Sequence, residues 1–133
     1  MLASMDATQA IADLTEISPQ VQDVVVLAAD GGLVGANVQD EAASRLADGA
    51  RRLLAAAEEL RPGVAQLEAA TTAGSVFVVR DGERLIAATT TPEPTVGLVF
   101  YDLKTCLRSV DEPKPKPRRR APAKQKEGDD AAA

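Results

Sequence analysis

The side chains that most often carry enzymatic chemistry are scarce in this sequence. Its 133 residues include no histidine and a single cysteine, Cys106. Without histidine, a Ser-His-Asp triad and a His-ligated zinc site are excluded, and one cysteine forms neither a Cys-rich metal cluster nor an internal disulfide. Cys106 as a reactive thiol would need an activating base other than histidine. Because it lies in an apolar periodic stretch, we interpret it as a core residue, and we predict no catalytic residue, no metal site and no cofactor.

A glycine-rich segment, Asp30-Gly31-Gly32-Leu33-Val34-Gly35, has some likeness to a phosphate-binding loop. Such a loop needs a helix after its glycines, so that backbone N–H groups and the helix dipole face the anion. Here a strand pattern follows, and the sequence contains no Gly-Lys-Ser/Thr. We therefore predict a hairpin turn, and we expect the chain not to bind nucleotide by itself.

Charged residues on one predicted helix, residues 41–60, are the most informative candidates for a site. Glu58 and Glu59 are adjacent, and neighbours on a helix point about 100° apart, so they are predicted to be solvated and not to converge on a substrate. A polar strip on this helix comprises Arg45, Asp48, Arg52 and Glu59, with Gly49 beside it. One interpretation is a solvated helix face with Asp48 and Arg52 as an i,i+4 pair. The other is a surface on which a partner docks, with Gly49 leaving room for close approach.

The composition indicates one small domain with an aliphatic core. Apolar residues make up 45% of the chain, and the aromatic ones are Phe77, Phe100 and Tyr101. No apolar run reaches the ~18 residues of a membrane span, and no basic region precedes an apolar block near Met1 or Met5, so no signal peptide is predicted. We expect a cytoplasmic protein.

Charge divides the chain in two. The net charge is −5, but residues 1–110 carry 15 acidic and 8 basic side chains, whereas 111–133 carry 5 acidic and 7 basic ones. We predict a domain over 1–110 and a disordered Pro/Lys/Arg-rich tail over 111–133, since the tail has too few apolar residues to offset the entropy of ordering. The basic run 114–126 is interpreted as a solubilising tail. Contact with nucleic acid or an anionic membrane is the less favoured interpretation, because no aromatic residue is present for base stacking.

Periodicity predicts three helices. The first covers residues 5–16, with Asp6 as N-cap and Gln9 completing a capping box. The second, 41–60, has Asp40 as N-cap and ends at Pro62-Gly63, and the third covers 95–109. The predicted buried stripes are Ala43, Leu46, Ala50, Leu53, Ala57 and Leu60, widened by Ala47 and Leu54, in the second helix, and Val96, Val99, Leu103, Leu107 and Val110 in and after the third.

Five strands are predicted over 21–28, 33–38, 64–71, 75–80 and 84–89. Glycine turns at Asp30-Gly31-Gly32 and Asp81-Gly82 indicate two hairpins, so at least part of the sheet is antiparallel. The unbroken apolar centre of 21–28 indicates cover on both sheet faces, whereas 64–71 alternates apolar and polar residues as an edge strand does. The order is helix, two strands, helix, three strands, helix.

This order, together with several short motifs, resembles the Roadblock/MglB family, which includes bacterial MglB proteins and the Roadblock dynein light chains. The resemblance covers about residues 5–109. The segments that carry it are Asp13-Leu14-Thr15-Glu16 before Val24-Val25-Val26-Leu27, Asp30-Gly31-Gly32-Leu33-Val34, Gly74-Ser75-Val76-Phe77-Val78-Val79, and Val96-Gly97-Leu98-Val99-Phe100-Tyr101-Asp102-Leu103.

The resemblance implies a profilin-like three-layer αβα fold in the α/β class. Its sheet has five mostly antiparallel strands in the order 2-1-5-4-3, with the long helix on one face and the two terminal helices on the other. It also implies a homodimer formed through the third strand and the long helix, with Leu53, Leu54, Gln66, Leu67 and Glu68 as the expected interface residues.

The leading functional hypothesis is a non-catalytic homodimeric regulator in signalling. It would bind a Ras-like small GTPase and modulate its GTP hydrolysis or localisation, acting in trans without an active site of its own. The expected partner-binding residues are Arg45, Asp48, Gly49, Arg52 and Glu59, and Arg52 is the best candidate for an arginine supplied in trans. One alternative is a dimeric scaffold subunit of a signalling or motor assembly that does not affect a nucleotide cycle. A small-molecule sensor is least favoured, since few polar groups converge and no small-molecule substrate is predicted.

Overall fold

The computed structural model describes residues 6–110 as three helices and five strands. Residues 1–5 and the predicted disordered tail, 111–133, lie outside the described residues. In chain order the elements are α1 (Ala7–Ile17), β1 (Val21–Leu27), β2 (Leu33–Ala36), α2 (Asp40–Leu60), β3 (Gln66–Thr71), β4 (Gly74–Asp81), β5 (Arg84–Thr90) and α3 (Val96–Ser109).

The strands form one antiparallel sheet in the order β2-β1-β5-β4-β3. Both glycine-directed hairpins are confirmed, with β1 paired to β2 and β4 paired to β5. At the first turn, Gly31 has a positive φ of 87° and the Asp30 carboxylate accepts a 2.8 Å hydrogen bond from the Gly32 N–H. A strand follows this turn, as predicted, and the geometry that a phosphate loop requires is absent from this segment of the described chain.

Helices cover both faces of the sheet, which confirms the αβα layout. Alternate strand residues point to opposite faces, so Val78 packs towards α2 while its neighbour Phe77 packs towards α1 and α3. The ring of Phe77 is fully buried and meets Phe100 of α3 edge to face, with centroids 4.9 Å apart. Cys106 is also buried in this layer, as predicted. Burial, followed by the nearby Asp13 carboxylate, raises the pKa of the Cys106 thiol to about 12, so it remains protonated at neutral pH.

The start of α1 confirms the capping role of Asp6, whose carboxylate accepts a 2.8 Å hydrogen bond from the Gln9 N–H. The other half of the predicted capping box is wrong, because the Gln9 amide donates forward to Asp13 at 2.9 Å. Asp13 lies one turn after Gln9 on the same helix face, where side chains four residues apart interact, so the Gln9 amide binds there and not at the backbone N–H of Asp6.

Two details predicted for α2 are also wrong. Asp40 lies inside the first turn, and the N-cap is Gln39, which makes no side-chain capping bond. Leu60 belongs to the predicted buried stripe but is 82% exposed. The buried positions are Ala43, Ala47, Ala50 and Leu54, so the helix is rotated on the sheet relative to the predicted stripe. In α3, Val96 also belongs to a predicted buried stripe but is 37% exposed, and it is the first residue of the helix.

Glu58 anchors the chain where α2 ends, and it is not simply solvated as predicted. Its carboxylate accepts hydrogen bonds from the backbone N–H groups of Gly63 at 3.1 Å and Val64 at 2.9 Å, and it pairs with Arg80 of β4 at 2.6 Å. The two backbone bonds, followed by Arg80, lower the pKa of Glu58. This residue therefore fixes the turn that leads from α2 into the edge strand β3.

Candidate partner-binding site

The polar strip predicted on the long helix lies on its exposed side. Arg45, Asp48, Arg52 and Glu59 are all exposed. The predicted Asp48–Arg52 pair is wrong: Asp48 binds Arg51 at 2.9 Å. Arg45 lies 3.9 Å from Glu41, and Arg52 and Glu59 make no hydrogen bond or ion pair within residues 6–110.

A groove runs along one flank of α2, between this helix and the sheet. We call it the α2 groove. Its volume is about 440 Å³. The lining residues are Arg45, Leu46, Gly49, Ala50, Arg52, Leu53, Ala56 and Val76. Six of these eight are apolar or glycine, and the two arginines form its polar rim.

The groove exists because α2 covers only part of the sheet. The helix packs mainly against β1, β5 and β4 and leaves the face of β3 largely uncovered. Leu46 and Leu53, which were predicted to be buried, are only half-buried and project into this gap, as does Val76 of β4. A Cβ added to Gly49 would meet no atom within 4 Å, which agrees with the expectation that this glycine leaves space.

The edge strand β3 lies beside the groove. It is last in the sheet order and, within the described chain, pairs only with β4. The Arg80 N–H donates to the Ala65 carbonyl at 2.8 Å. Since bonded and non-bonded residues alternate in an antiparallel pair, the backbone groups of Gln66, Glu68 and Ala70 face away from β4 and present an open edge.

Of the predicted interface residues, four lie at this edge or groove. Gln66 and Glu68 lie on the edge strand, and Leu67 and Leu53 are half-buried on the α2 side of the sheet. Leu54 instead packs into the core beneath α2, where 9% of its surface is exposed. Ala56 and Val76 also line the groove but were not predicted as site residues, because the groove forms between two elements and no pattern within one element indicates it.

Within residues 6–110, no group of three or more His, Cys, Asp or Glu is placed to hold a metal ion. No helix in the same part of the chain is long and apolar enough to cross a membrane. The arrangement of an apolar groove, an open strand edge and a charged rim is suited to binding protein surfaces.

Comparison with known proteins identifies the fold. No protein-family model matches the sequence, and no curated protein matches it. Among solved structures, a Roadblock/LC7 domain from Streptomyces avermitilis superposes with a TM-score of 0.66 at 17% identity, covering 80% of this chain and 94% of that one. Myxococcus xanthus MglB gives a TM-score of 0.60 at 14% identity, covering 77% and 89%. LokiProfilin2, in a complex with rabbit actin, gives 0.54 at 15% identity, covering 75% and 91%. The chain therefore has the Roadblock/LC7 fold.

Proposed function

We propose that the chain is a homodimeric regulator that binds a Ras-like small GTPase and modulates its GTP hydrolysis or localisation, without catalytic groups of its own. The observation that carries the proposal is the apolar α2 groove beside an unpaired strand edge, on a fold shared with MglB.

The position of the strand edge and of the α2 groove supports dimerisation. A second copy that aligned its own β3 antiparallel to this one would satisfy the outward backbone groups of Gln66, Glu68 and Ala70. The same contact would bring apolar side chains over Leu53 and Val76, which one chain leaves half-exposed. Burial stabilises such a contact by about 25 cal/mol per Å² of apolar surface.

The exposed side of α2 is our candidate for the partner surface. In a dimer paired through β3, the two α2 helices lie on the same face of the joined sheet, so two copies of Arg45, Asp48, Arg52 and Glu59 form one extended charged surface. Arg52 has no partner within residues 6–110 and is free to meet an acidic or phosphate group of a bound protein.

The dimer is tested by two variants with a matched control. Ala70→Pro removes an outward N–H without touching the β3–β4 ladder, whereas proline at Leu67 would break that ladder. Leu53→Glu places a charge in the groove, and Ala55→Glu makes a comparable change on the exposed side of α2. In sedimentation velocity, the parent chain and Ala55→Glu are expected to be dimers and the other two monomers. A parent chain that is monomeric at high micromolar concentration would contradict the proposal.

The proposed GTPase partner is tested by co-purifying the full chain with its natural partners. GTP hydrolysis by the recovered partner is then measured in the presence and in the absence of this chain. Arg45→Glu combined with Arg52→Glu, and separately Gly49→Leu, are expected to weaken partner binding while leaving the fold intact, since exposed charges contribute little to stability. Because Arg45, Gly49 and Arg52 also line the α2 groove, sedimentation velocity must show that these variants remain dimers. Binding without any change in hydrolysis or localisation would favour the dimeric scaffold. Failure to recover any small GTPase would refute the proposed partner.

A further inference from the structure

A second groove lies on the opposite face of the sheet, between α1 and α3. We call it the α1–α3 groove, and its volume is about 150 Å³. Its lining residues are Ala10, Asp13, Leu14, Ile17, Asp102, Thr105, Cys106 and Ser109. It shares no residue with the α2 groove, and the proposed dimer does not use it.

Asp102 is the unusual residue of this groove. It is only 8% exposed, and within residues 6–110 it makes no hydrogen bond or ion pair. The nearby hydroxyl groups are engaged elsewhere: Thr105 donates to the Tyr101 carbonyl at 2.9 Å, and Ser109 donates to the Cys106 carbonyl at 2.8 Å. A mostly buried carboxylate is stabilised by pairing, so a donor from outside residues 6–110 that entered this groove would be favoured beside Asp102.

The surroundings of Asp102 favour a cationic donor. Asp13 places a second carboxylate in the same groove, and α1 contains no lysine or arginine. The two basic residues of α3, Lys104 and Arg108, lie on its other flank, where Arg108 pairs with Asp81 of β4 at 3.5 Å. No basic side chain lines the groove.

We propose that the α1–α3 groove binds the chain's own basic tail, with Lys116 or Arg118 beside Asp102. The run 114–126 carries seven positive charges and no negative one, which complements a groove with two carboxylates and no cation. The tail also leaves the domain at the right place, because Ser109, which lines the groove, is followed by the last described residue, Val110.

The length of the tail selects these two residues. Asp102 precedes Val110 by eight positions, or about 12 Å along the helix at about 1.5 Å per residue. A proline-rich segment extends about 3.1 Å per residue, so about four residues cover that distance. Pro117 follows Val110 by seven positions, and Lys116 and Arg118 flank it, so the tail is long enough to bring either cation back to Asp102. Ile17 at the groove and Tyr101 close by are 66% and 67% exposed, and they offer apolar contact to proline rings and lysine stems.

The test uses amide NMR spectra of the full chain. Lys116→Gln with Arg118→Gln is compared with Lys124→Gln with Lys126→Gln, which removes the same charge further along the tail. The first pair is expected to shift the amide resonances of groove residues such as Asp13 and Cys106, and the second pair to leave them in place. Raising the salt concentration on the parent chain is expected to move the same resonances in the same direction.

Asp102→Asn provides the reciprocal test, and Glu59→Gln on the opposite face is its matched control. Asp102→Asn keeps the side-chain shape. In its background, the Lys116/Arg118 variant is expected to leave the amide resonances of the groove unchanged, whereas in the Glu59→Gln background it is expected to shift them. If Asp102→Asn does not fold, as judged from a poorly dispersed NMR spectrum, Asp13→Asn replaces it and is expected to have a smaller effect. Groove resonances that ignore the tail charges, or that respond equally to both tail pairs, would overturn the proposal. A difference between the parent chain and the Lys116/Arg118 variant that grows with protein concentration, while sedimentation shows an unchanged oligomeric state, would also overturn it, since it would place the tail of a second copy in the groove.

Discussion

Phe77 offers the sharpest test of how the sheet and the terminal helices are held together. Its side chain is fully buried in β4, and its ring meets Phe100 of α3 at a centroid distance of 4.9 Å and an interplanar angle of 73°. Phe77→Ala removes a large side chain from a core whose other large, fully buried side chains are aliphatic, which costs about 3–5 kcal/mol. The lost edge-to-face contact contributes about 0.5–1.5 kcal/mol of stabilisation beyond area burial, so we expect the upper half of that range.

Thermal and urea unfolding followed by circular dichroism measure this cost. One kcal/mol shifts the Tm of a domain of this size by about 4 °C, so the expected fall is roughly 16–20 °C. All variants are compared at one protein concentration, because dimerisation would make the Tm concentration-dependent. Tyr101→Ala is the matched control: this ring is 67% exposed, and its loss is expected to change the Tm little. If Phe77→Ala costs no more than the control, the assigned burial of β4 is incorrect.

Two further predictions concern the turns around the sheet. Glu58→Gln should lower stability at neutral pH, and the difference from the parent chain should shrink as the pH falls below 4.5, the ordinary value. The sign follows because hydrogen bonds lower the pKa of Glu58 in the folded chain, so the carboxylate stabilises the fold above pH 4.5 and this stabilisation is lost as it protonates. A difference in urea midpoint between Glu58→Gln and the parent chain that stays constant with pH would contradict the prediction. Gly74→Ala should cost about 3 kcal/mol or more, since Gly74 has a φ of 138° and an added Cβ would collide with the Thr90 carbonyl oxygen. Gly82→Ala is the control: Gly82 has a φ of 66° and nothing lies within 4 Å of an added Cβ, so it should cost only about 1–2 kcal/mol. If the two variants lose the same stability in urea, the collision predicted for Gly74→Ala is relieved by local movement.

Local sequence determined most element types in this protein. Each strand and helix was predicted from its own periodicity, because the apolar repeat of 2 or 3.6 residues is a property of a short segment. The hairpin at Asp30-Gly31-Gly32 and the cap at Asp6 follow from chemistry within three or four residues. The sheet order was not available from such patterns and was anticipated only through the family resemblance.

Tertiary structure decided which side of each helix is buried and where polar groups pair. Leu60 fits the apolar repeat of α2 but is exposed, because the way the helix rests on the sheet, and not its repeat, selects the buried face. Glu58 is held by a strand 22 residues away. Asp102 lies on a face that the sequence pattern leaves polar, yet α1 packs beside it and leaves it only 8% exposed. Such contacts join segments distant in sequence, so no local pattern encodes them, and the two grooves that carry the proposals arise from them.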